Sequence, residues 1–294
     1  MSKMSTDDTL NERKGRSTNE SRRRFLKTGG MLTTAALLTP AIGNTVFAHE
    51  SSGDGPGSGV GFAVPAQNST IVLVHAAWAD GSCWDNVILP LERHGFTVMC
   101  APIPMTTLTD DVAALSRALE RTTGPVVLVG HAYSGGVVGA TRDERVKSFV
   151  YIAALAPDEG ETVAKVFYRD EKHPESPKLA PDQHGFIWMP DDGFARAVAH
   201  KASPDRTRIM AAIQRPLSIH CIQEPVPAPE WKSKPSWYLV AEEDRMINPK
   251  TQHFMASRMG ATVRSLKVDH SPMISAPQTA IDIIVEAARA TPRP

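Results

Sequence analysis

Residues 126–136 read VVLVGHAYSGG. The first four form a short apolar run without polar alternation, which is typical of a strand buried on both faces of a sheet. A glycine, a histidine and small residues follow, and they indicate a sharp turn that leads directly into a helix. This pattern resembles the elbow written G-x-S-x-G, which presents a nucleophilic serine. The middle position holds Ala132, which has no nucleophilic atom, and Ser134 comes two residues later.

Apolar runs and helix-like stretches alternate on both sides of this elbow. Strands are predicted over residues 71–74, 96–100, 126–129, 147–153, 236–240 and 263–268, and helices over 84–94, 108–121, 135–141, 250–259 and 279–290. Strands that alternate with helices at this spacing predict an α/β fold with a mostly parallel, doubly wound sheet.

The alternation stops between about residue 158 and residue 232. This segment contains Pro clusters, aromatic residues and one helix-like stretch at 191–200, and it is too long for a plain connection inside a compact domain. We therefore predict an inserted cap. Four of its side chains fit two interpretations, the lining of a substrate pocket or the core of the cap itself: Phe167, Tyr168, Trp188 and Met189.

The N-terminal 48 residues carry the pattern of an export signal. Residues 21–27, SRRRFLK, match a twin-arginine motif, a weakly apolar run follows, and residues 46–48, VFA, fit a cleavage site. Residues 49–68 are rich in Gly and Ser and predict a flexible leader, which leaves 69–294 for one α/β domain. The signal implies the export machinery as a partner and a periplasmic or secreted location.

Charge and composition exclude several classes of partner. The chain has 32 basic and 32 acidic residues, so no global field favours nucleic acid or an anionic membrane, and no membrane association is expected after signal cleavage. Three cysteines without tight spacing form neither a disulfide framework nor a zinc site. The sequence also lacks a metal-ligand cluster, a phosphate loop and a dinucleotide fingerprint. We expect no metal, no cofactor and a small-molecule substrate.

Two further residues have the types and the order that acid–base chemistry at the elbow requires. Asp244 follows the strand at 236–240, and His270 follows the strand at 263–268. Sites on open parallel sheets form at the carboxyl ends of strands, where both residues are predicted to lie. A carboxylate beside an imidazole fixes the tautomer of the ring and stabilises its protonated form, so the two are predicted to act together.

With these motifs in order, the chain resembles the α/β-hydrolase superfamily, and within it the small plant-type methylesterases and hydroxynitrile lyases. The motifs are VLVHAAWADGSCW at 72–84, VGHAYSGG at 129–136, AEEDRM at 241–246 and DHSPMISAP at 269–277. The resemblance implies Asp244 and His270 as acid and base. It also implies an oxyanion hole formed by the backbone N–H groups of Ala77 and Tyr133.

The elbow departs from this family at Ala132, and two alignments are open. Without an insertion, Ala132 takes the nucleophile position, and Ser134 takes a position that must be small because strand and helix pass close together. The pattern A-x-S-x-G would instead make Ser134 the nucleophile, with Gly135 as the second oxyanion donor, and it requires a strand that runs on through Ala132. The first alignment is favoured, since the predicted strand ends before Gly130.

Three mechanisms follow from these alternatives. Ser134 attacks an ester or lactone with His270 as base, His270 activates water directly, or His270 removes a substrate proton in a lyase reaction. We expect a cofactor-independent enzyme that hydrolyses an ester or lactone of a small, partly apolar molecule. A lyase and a non-catalytic binding protein are the alternatives. His75 and His131 are expected to pack beside the site rather than to act on the substrate.

Overall fold

The computed structural model describes residues 69–291, so the predicted export signal and leader lie outside the described residues. Eight strands occur in this part of the chain: β1 (Thr70–Val74), β2 (Thr97–Ala101), β3 (Val126–His131), β4 (Val146–Ile152), β5 (Phe186–Ile187), β6 (Leu217–Ser218), β7 (Ser236–Ala241) and β8 (Thr262–Leu266). The α-helices of the same part are α1 (Asp85–Arg93), α2 (Leu108–Leu119), α3 (Ser134–Ala140), α4 (Val163–Phe167), α5 (Asp191–Gly193), α6 (Pro204–Ile213), α7 (His220–Gln223), α8 (Pro249–Arg258), α9 (Pro272–Ser275) and α10 (Pro277–Ala290). Short 3₁₀ turns lie at Gly81–Trp84 and Glu230–Lys232, and a π-helix lies at Phe194–Val198. None of the helices within 69–291 is long and apolar enough to cross a bilayer.

Six strands form one sheet in the order β2-β1-β3-β4-β7-β8, and every neighbouring pair is parallel. Alternate residues of each strand point to opposite faces. On β1, Ile71 and Leu73 pack against α1 and α10, while Val72 and Val74 belong to the core that contains α2, α3 and α8. Helices therefore cover both faces, and the predicted α/β fold with a doubly wound parallel sheet is confirmed.

The end of β3 differs from the sequence prediction. The strand runs to His131, two residues beyond the predicted end at residue 129, because His131 still pairs with Ile152 of β4. Ala132 does not continue the strand, since α3 begins at Ser134. The turn between strand and helix therefore falls at residues 132 and 133.

The segment between β4 and β7 contains α4 to α7 and a small antiparallel sheet in which β5 pairs with β6. We call residues 153–235 the insert. The prediction of one helix at 191–200 missed α6, although Ser203 caps its N-terminus and Pro204 occupies its first turn. The helix escaped the prediction because its apolar residues do not form a buried stripe: Ile209 and Ile213 are exposed.

Candidate active site

Ala132 lies at the tip of the turn between β3 and α3, in a left-handed backbone conformation with φ of 51°. Non-glycine residues adopt positive φ infrequently, and such strain is concentrated at functional sites. Gly135 makes the tight turn possible, because a Cβ there would lie 2.2 Å from the carbonyl oxygen of Leu155. The sequence thus builds a strained elbow whose tip carries only a methyl group.

Ser134 is fully buried at the start of α3. Its Oγ accepts a hydrogen bond from the backbone N–H of His131 at 2.9 Å, and its single hydrogen has two carbonyl acceptors within 2.9 Å, those of Val74 and His131. Among the described residues, none of its hydrogen bonds involves His270. A nucleophile would need an accessible hydroxyl at the tip of the turn. The geometry instead places Ser134 at the small-residue position, where it ties the elbow to β1.

Asp244 and His270 meet at the carboxyl ends of β7 and β8, where His270 Nδ1 lies 2.7 Å from Asp244 Oδ2. Asp244 Oδ1 also accepts from the backbone N–H groups of Met246 and Ile247, at 2.7 and 2.9 Å. Gln252 Nε2 donates to Asp244 Oδ2 at 2.7 Å. Because Nδ1 donates to the carboxylate, Nε2 of the neutral ring is left as the proton acceptor.

The sequence analysis did not single out Gln252, a fully buried residue on α8. Its side chain donates to Asp244 and to the carbonyl oxygen of Ile247, and its Oε1 accepts from the backbone N–H of Ala241 at 3.0 Å. Both the oxygen and the nitrogen of the Gln252 amide are hydrogen-bonded, and these bonds fix the Asp244 carboxylate relative to β7. Helical periodicity alone gives no signal for this contact.

Two further histidines lie beside the site. His131 Nε2 lies 2.7 Å from the carbonyl oxygen of His270, so it donates there, and burial holds the pKa of His131 well below its usual value. His75 donates from Nδ1 to the carbonyl oxygen of Ala76 and accepts at Nε2 from the N–H of Ile103. Burial lowers the pKa of His75 to about 4. Both rings are therefore neutral, and their hydrogen bonds hold the backbone around the site.

The two predicted oxyanion donors, Ala77 and Tyr133, both line the same cavity. Within residues 69–291, neither backbone N–H donates to another protein group. The peptide that carries the Tyr133 N–H has the Ala132 carbonyl on its other side, and that oxygen accepts from Gly135 N at 3.2 Å and from Leu155 N at 2.9 Å. Both amides are thus left free at the cavity, and a free backbone N–H is the kind of donor that can bind an oxyanion.

Trp78 links this loop to the insert. It directly follows Ala77, has a positive φ of 58°, and its indole Nε1 donates to the carbonyl oxygen of Ile187 in β5 at 2.9 Å. This hydrogen bond joins the loop after β1 to β5 of the insert. The insert therefore holds the loop that contains one of the two amide donors.

A cavity of about 1070 Å³, including its open mouth, lies between the elbow, the His270 loop and the insert. His270 and Ala132 belong to its lining, which is otherwise mostly aliphatic and aromatic. Phe167 and Tyr168 line this cavity, whereas Trp188 is half exposed and Met189 belongs to the buried core. Two of the four thus line the cavity and Met189 belongs to the core, whereas Trp188 fits neither interpretation.

Other groups that could bind a metal or react were also located. No cluster of three or more His, Cys, Asp or Glu side chains that could hold a metal ion occurs in the part of the chain that the structure describes. Cys83, Cys100 and Cys221 are free thiols, and burial raises the pKa of each of them. Asp158 pairs with Lys232 near the surface.

Residues 71–283 match the family model described as the alpha/beta hydrolase family. The chain belongs to this family. The match covers the sheet, the elbow and the loops of Asp244 and His270, which confirms the superfamily resemblance of the sequence. The predicted plant-type branch is represented among its relatives: putative methylesterase 15 from Arabidopsis thaliana is 22% identical over 262 residues, which cover 78% of this chain and 58% of that protein.

Norfluorocurarine synthase 2 from Strychnos is 24% identical over 268 residues, which cover 75% of this chain and 95% of that protein. The solved structure of polyneuridine aldehyde esterase aligns with a TM-score of 0.65 at 18% identity, over 74% of this chain and 98% of that one. A pyrethroid hydrolase from Sphingobium faniae aligns with a TM-score of 0.65 at 20% identity, over 76% and 98% of the two chains. At these identities the structural likeness shows the fold.

Proposed function

We propose that this alpha/beta hydrolase cleaves an ester or lactone of a small, largely apolar molecule, and that His270 activates water directly. The observation that supports this proposal most strongly is the combination at the elbow. The acid–base pair and two unpaired amides are in place, while the strained tip residue, Ala132, offers no nucleophilic atom. A water molecule in the space beside the methyl group would take the place of the serine hydroxyl.

The chemical steps use only groups of this chain and water. His270 Nε2 accepts a proton from water while the water oxygen attacks the carbonyl carbon, and Asp244 stabilises the imidazolium that forms. The carbonyl oxygen becomes an oxyanion that the N–H groups of Ala77 and Tyr133 stabilise. When the tetrahedral intermediate collapses, His270 returns the proton to the leaving alkoxide, and an acid and an alcohol are released.

The cavity supports an apolar substrate. Its lining includes the aromatic rings of Phe167 and Tyr168 and aliphatic side chains such as Leu155 and Met210, with few polar groups to orient a ligand. The names of two structural relatives, polyneuridine aldehyde esterase and a pyrethroid hydrolase, agree with a hydrolytic reaction.

A second candidate is proton abstraction without hydrolysis. The same pair of groups permits it, because His270 held by Asp244 can take a proton from carbon as well as from water. In that reaction Nε2 takes a proton from a substrate carbon, and the two amides stabilise an enolate oxygen. The elbow tip needs no nucleophile for this chemistry either.

We also propose that the enzyme works in the periplasm or outside the cell. Support comes from the twin-arginine motif at residues 21–27 and the cleavage pattern at 46–48. Fractionation of cells that express the full chain tests this location. Replacement of Arg22 and Arg23 by Lys should retain the precursor in the cytoplasm, whereas unchanged export would contradict the proposal.

The proposed reaction is tested with 4-nitrophenyl acetate and 4-nitrophenyl butyrate as activated esters. His270→Ala should lower kcat by at least about 100-fold, because the loss of a general base commonly costs that much. The matched control is His253→Ala, which removes a surface histidine that also pairs with a carboxylate, Glu242 at 2.7 Å. Equal turnover in the two variants would refute a role for His270.

Two further measurements separate the mechanisms. A fluorophosphonate should not label the native protein if water is the nucleophile, and a labelled serine would restore covalent catalysis. For the lyase, a ketone probe with acidic α-hydrogens should exchange them for deuterium in a His270-dependent way. If that exchange occurs while neither ester is cleaved, the hydrolase proposal fails and the second candidate stands.

A further inference from the structure

Asp111 is a buried carboxylate to which the proposed reaction assigns no role. It lies in the first turn of α2, and its side chain is fully enclosed. Oδ2 accepts from the Tyr133 hydroxyl at 2.6 Å, and Oδ1 accepts from the backbone N–H of Met105 at 2.7 Å. The thiol of Cys221 also lies 3.8 Å from Oδ2. A buried acid without a salt bridge is costly, so these donors have to compensate for its desolvation.

Tyr133 connects this carboxylate to the elbow. Its side chain extends from the residue that follows the strained tip, and only 3% of Tyr133 is exposed. Its backbone N–H is one of the two unpaired amides at the cavity. A side chain fixed at its far end by a 2.6 Å bond to a charged acceptor limits rotation of the backbone from which it extends.

The peptide group between Ala132 and Tyr133 is held from its other side too. A trans peptide is planar, so its N–H points opposite to its C=O. The Ala132 carbonyl accepts from the N–H groups of Gly135 and Leu155, at 3.2 and 2.9 Å. These bonds direct the carbonyl towards α3 and the end of β4, and the N–H is therefore left to face the cavity.

We propose that Asp111 is a positioning residue that orients the Tyr133 N–H toward the oxyanion by holding the Tyr133 hydroxyl. Asp111 touches neither substrate nor reacting atoms, and it acts through the Tyr133 ring. The Tyr133 side chain and the Ala132 carbonyl thus anchor the two ends of one peptide unit. This inference rests on the proposed function, because it assigns Tyr133 the oxyanion contact.

Asp111→Asn tests the inference with little change of shape. The amide oxygen can still accept from Met105, but the NH₂ group then faces the Tyr133 hydroxyl and the charged acceptor is lost. With 4-nitrophenyl butyrate we expect kcat to fall by about 10-fold to 100-fold, less than the 10²–10³ measured when an oxyanion donor is removed outright. KM should stay within about twofold, since apolar contacts bind the substrate.

Ser148→Ala is the matched control for stability. It removes a buried hydrogen bond to the Thr291 hydroxyl, 2.7 Å long, in a strand residue outside the lining of the cavity. It should lower the unfolding midpoint and leave kcat unchanged. If Asp111→Asn lost only stability, as this control does, the positioning role would be refuted.

A readout that does not need turnover comes from selective ¹⁵N-tyrosine labelling of the full chain. The chain has four tyrosines, so four amide signals are expected, and the one absent in Tyr133→Phe belongs to Tyr133. Ethyl phenylphosphonate, a tetrahedral anion, should shift this signal in the native protein. In Asp111→Asn the shift should shrink by at least about half, while Ser148→Ala should respond as the native protein does.

The two readouts separate the two proposals. If no ester is cleaved but the Tyr133 signal depends on Asp111, the proposed reaction fails and the positioning role stands. If esters are cleaved by a His270-dependent route while kcat and the Tyr133 signal are unaffected in Asp111→Asn, the positioning role is refuted and the reaction stands.

Discussion

Ser134→Ala distinguishes a structural serine from a nucleophile. The substitution removes the acceptor of the buried His131 N–H and the donor that reaches Val74 O, both at 2.9 Å. A buried donor left without a partner costs about 1–3 kcal/mol, and the Cβ that packs at the turn is kept. We therefore expect the free energy of unfolding to fall by about 2 kcal/mol. In a domain of this size that lowers Tm by about 4–8 °C.

Turnover, unlike stability, should change little in Ser134→Ala. Because the hydroxyl is not at the elbow tip, Ser134→Ala should keep most of the activity on 4-nitrophenyl esters at a temperature well below its Tm. Thermal unfolding and initial rates, measured on the same preparation, give both quantities. Ser116→Ala is the control, since the Ser116 hydroxyl only donates to the helical carbonyl of Val112 and its loss should change stability by less than about 0.5 kcal/mol.

The opposite pattern would refute the reasoning. If Ser134→Ala abolished turnover with no loss of stability, and a fluorophosphonate labelled Ser134 in the native protein, the serine would be the nucleophile. The turn at Ala132 would then have to rearrange during catalysis.

Three further predictions concern the residues around the elbow. Ala132→Ser should create a serine that a fluorophosphonate labels, because base and amides are already in place, and the double variant with His270→Ala should not be labelled. Gln252→Leu leaves the Ala241 N–H without an acceptor and Asp244 Oδ2 without one of its donors. The free energy of unfolding measured in urea should therefore fall by about 2–4 kcal/mol, and an unchanged value would contradict this role. The pKa of His75 is about 4 in the folded protein and about 6.5 in the unfolded chain, so the unfolded chain takes up the proton first as pH falls. The free energy of unfolding is therefore highest above pH 6.5 and decreases as pH falls towards 4. From about pH 7.5 to about pH 5, the native protein should therefore lose about 2 kcal/mol more than His75→Gln does, and parallel pH profiles would refute the assignment.

The sheet could be predicted from the sequence, because the patterns that mark its strands and helices lie within each segment. Each buried strand is a continuous apolar run, and the flanking helices α2 and α10 have an apolar stripe. The order of Asp244 and His270 after the last two strands of the sheet was equally readable, since parallel topology brings those strand ends to one edge. The hydrogen bond between them followed from this order.

The contacts that support the site were not readable. Gln252 and Asp111 reach their partners across the fold, and no periodic pattern distinguishes them from solvent-facing polar residues of α8 and α2. The elements of the insert were also predicted poorly from the sequence. They are short, and contacts to the rest of the domain hold them rather than an amphipathic pattern of their own. The bond from Trp78 to Ile187 is such a contact.

That bond from the Trp78 indole couples the loop after β1 to any movement of the insert. If the insert lifts to admit a ligand, the bond to Ile187 breaks, and the loop that presents the Ala77 N–H loses its tether. Closure would then restore the tether and align the amide in the same movement. The Ala77 N–H would then be aligned only while the insert encloses the ligand. Turnover would depend on the fraction of time that the insert is closed.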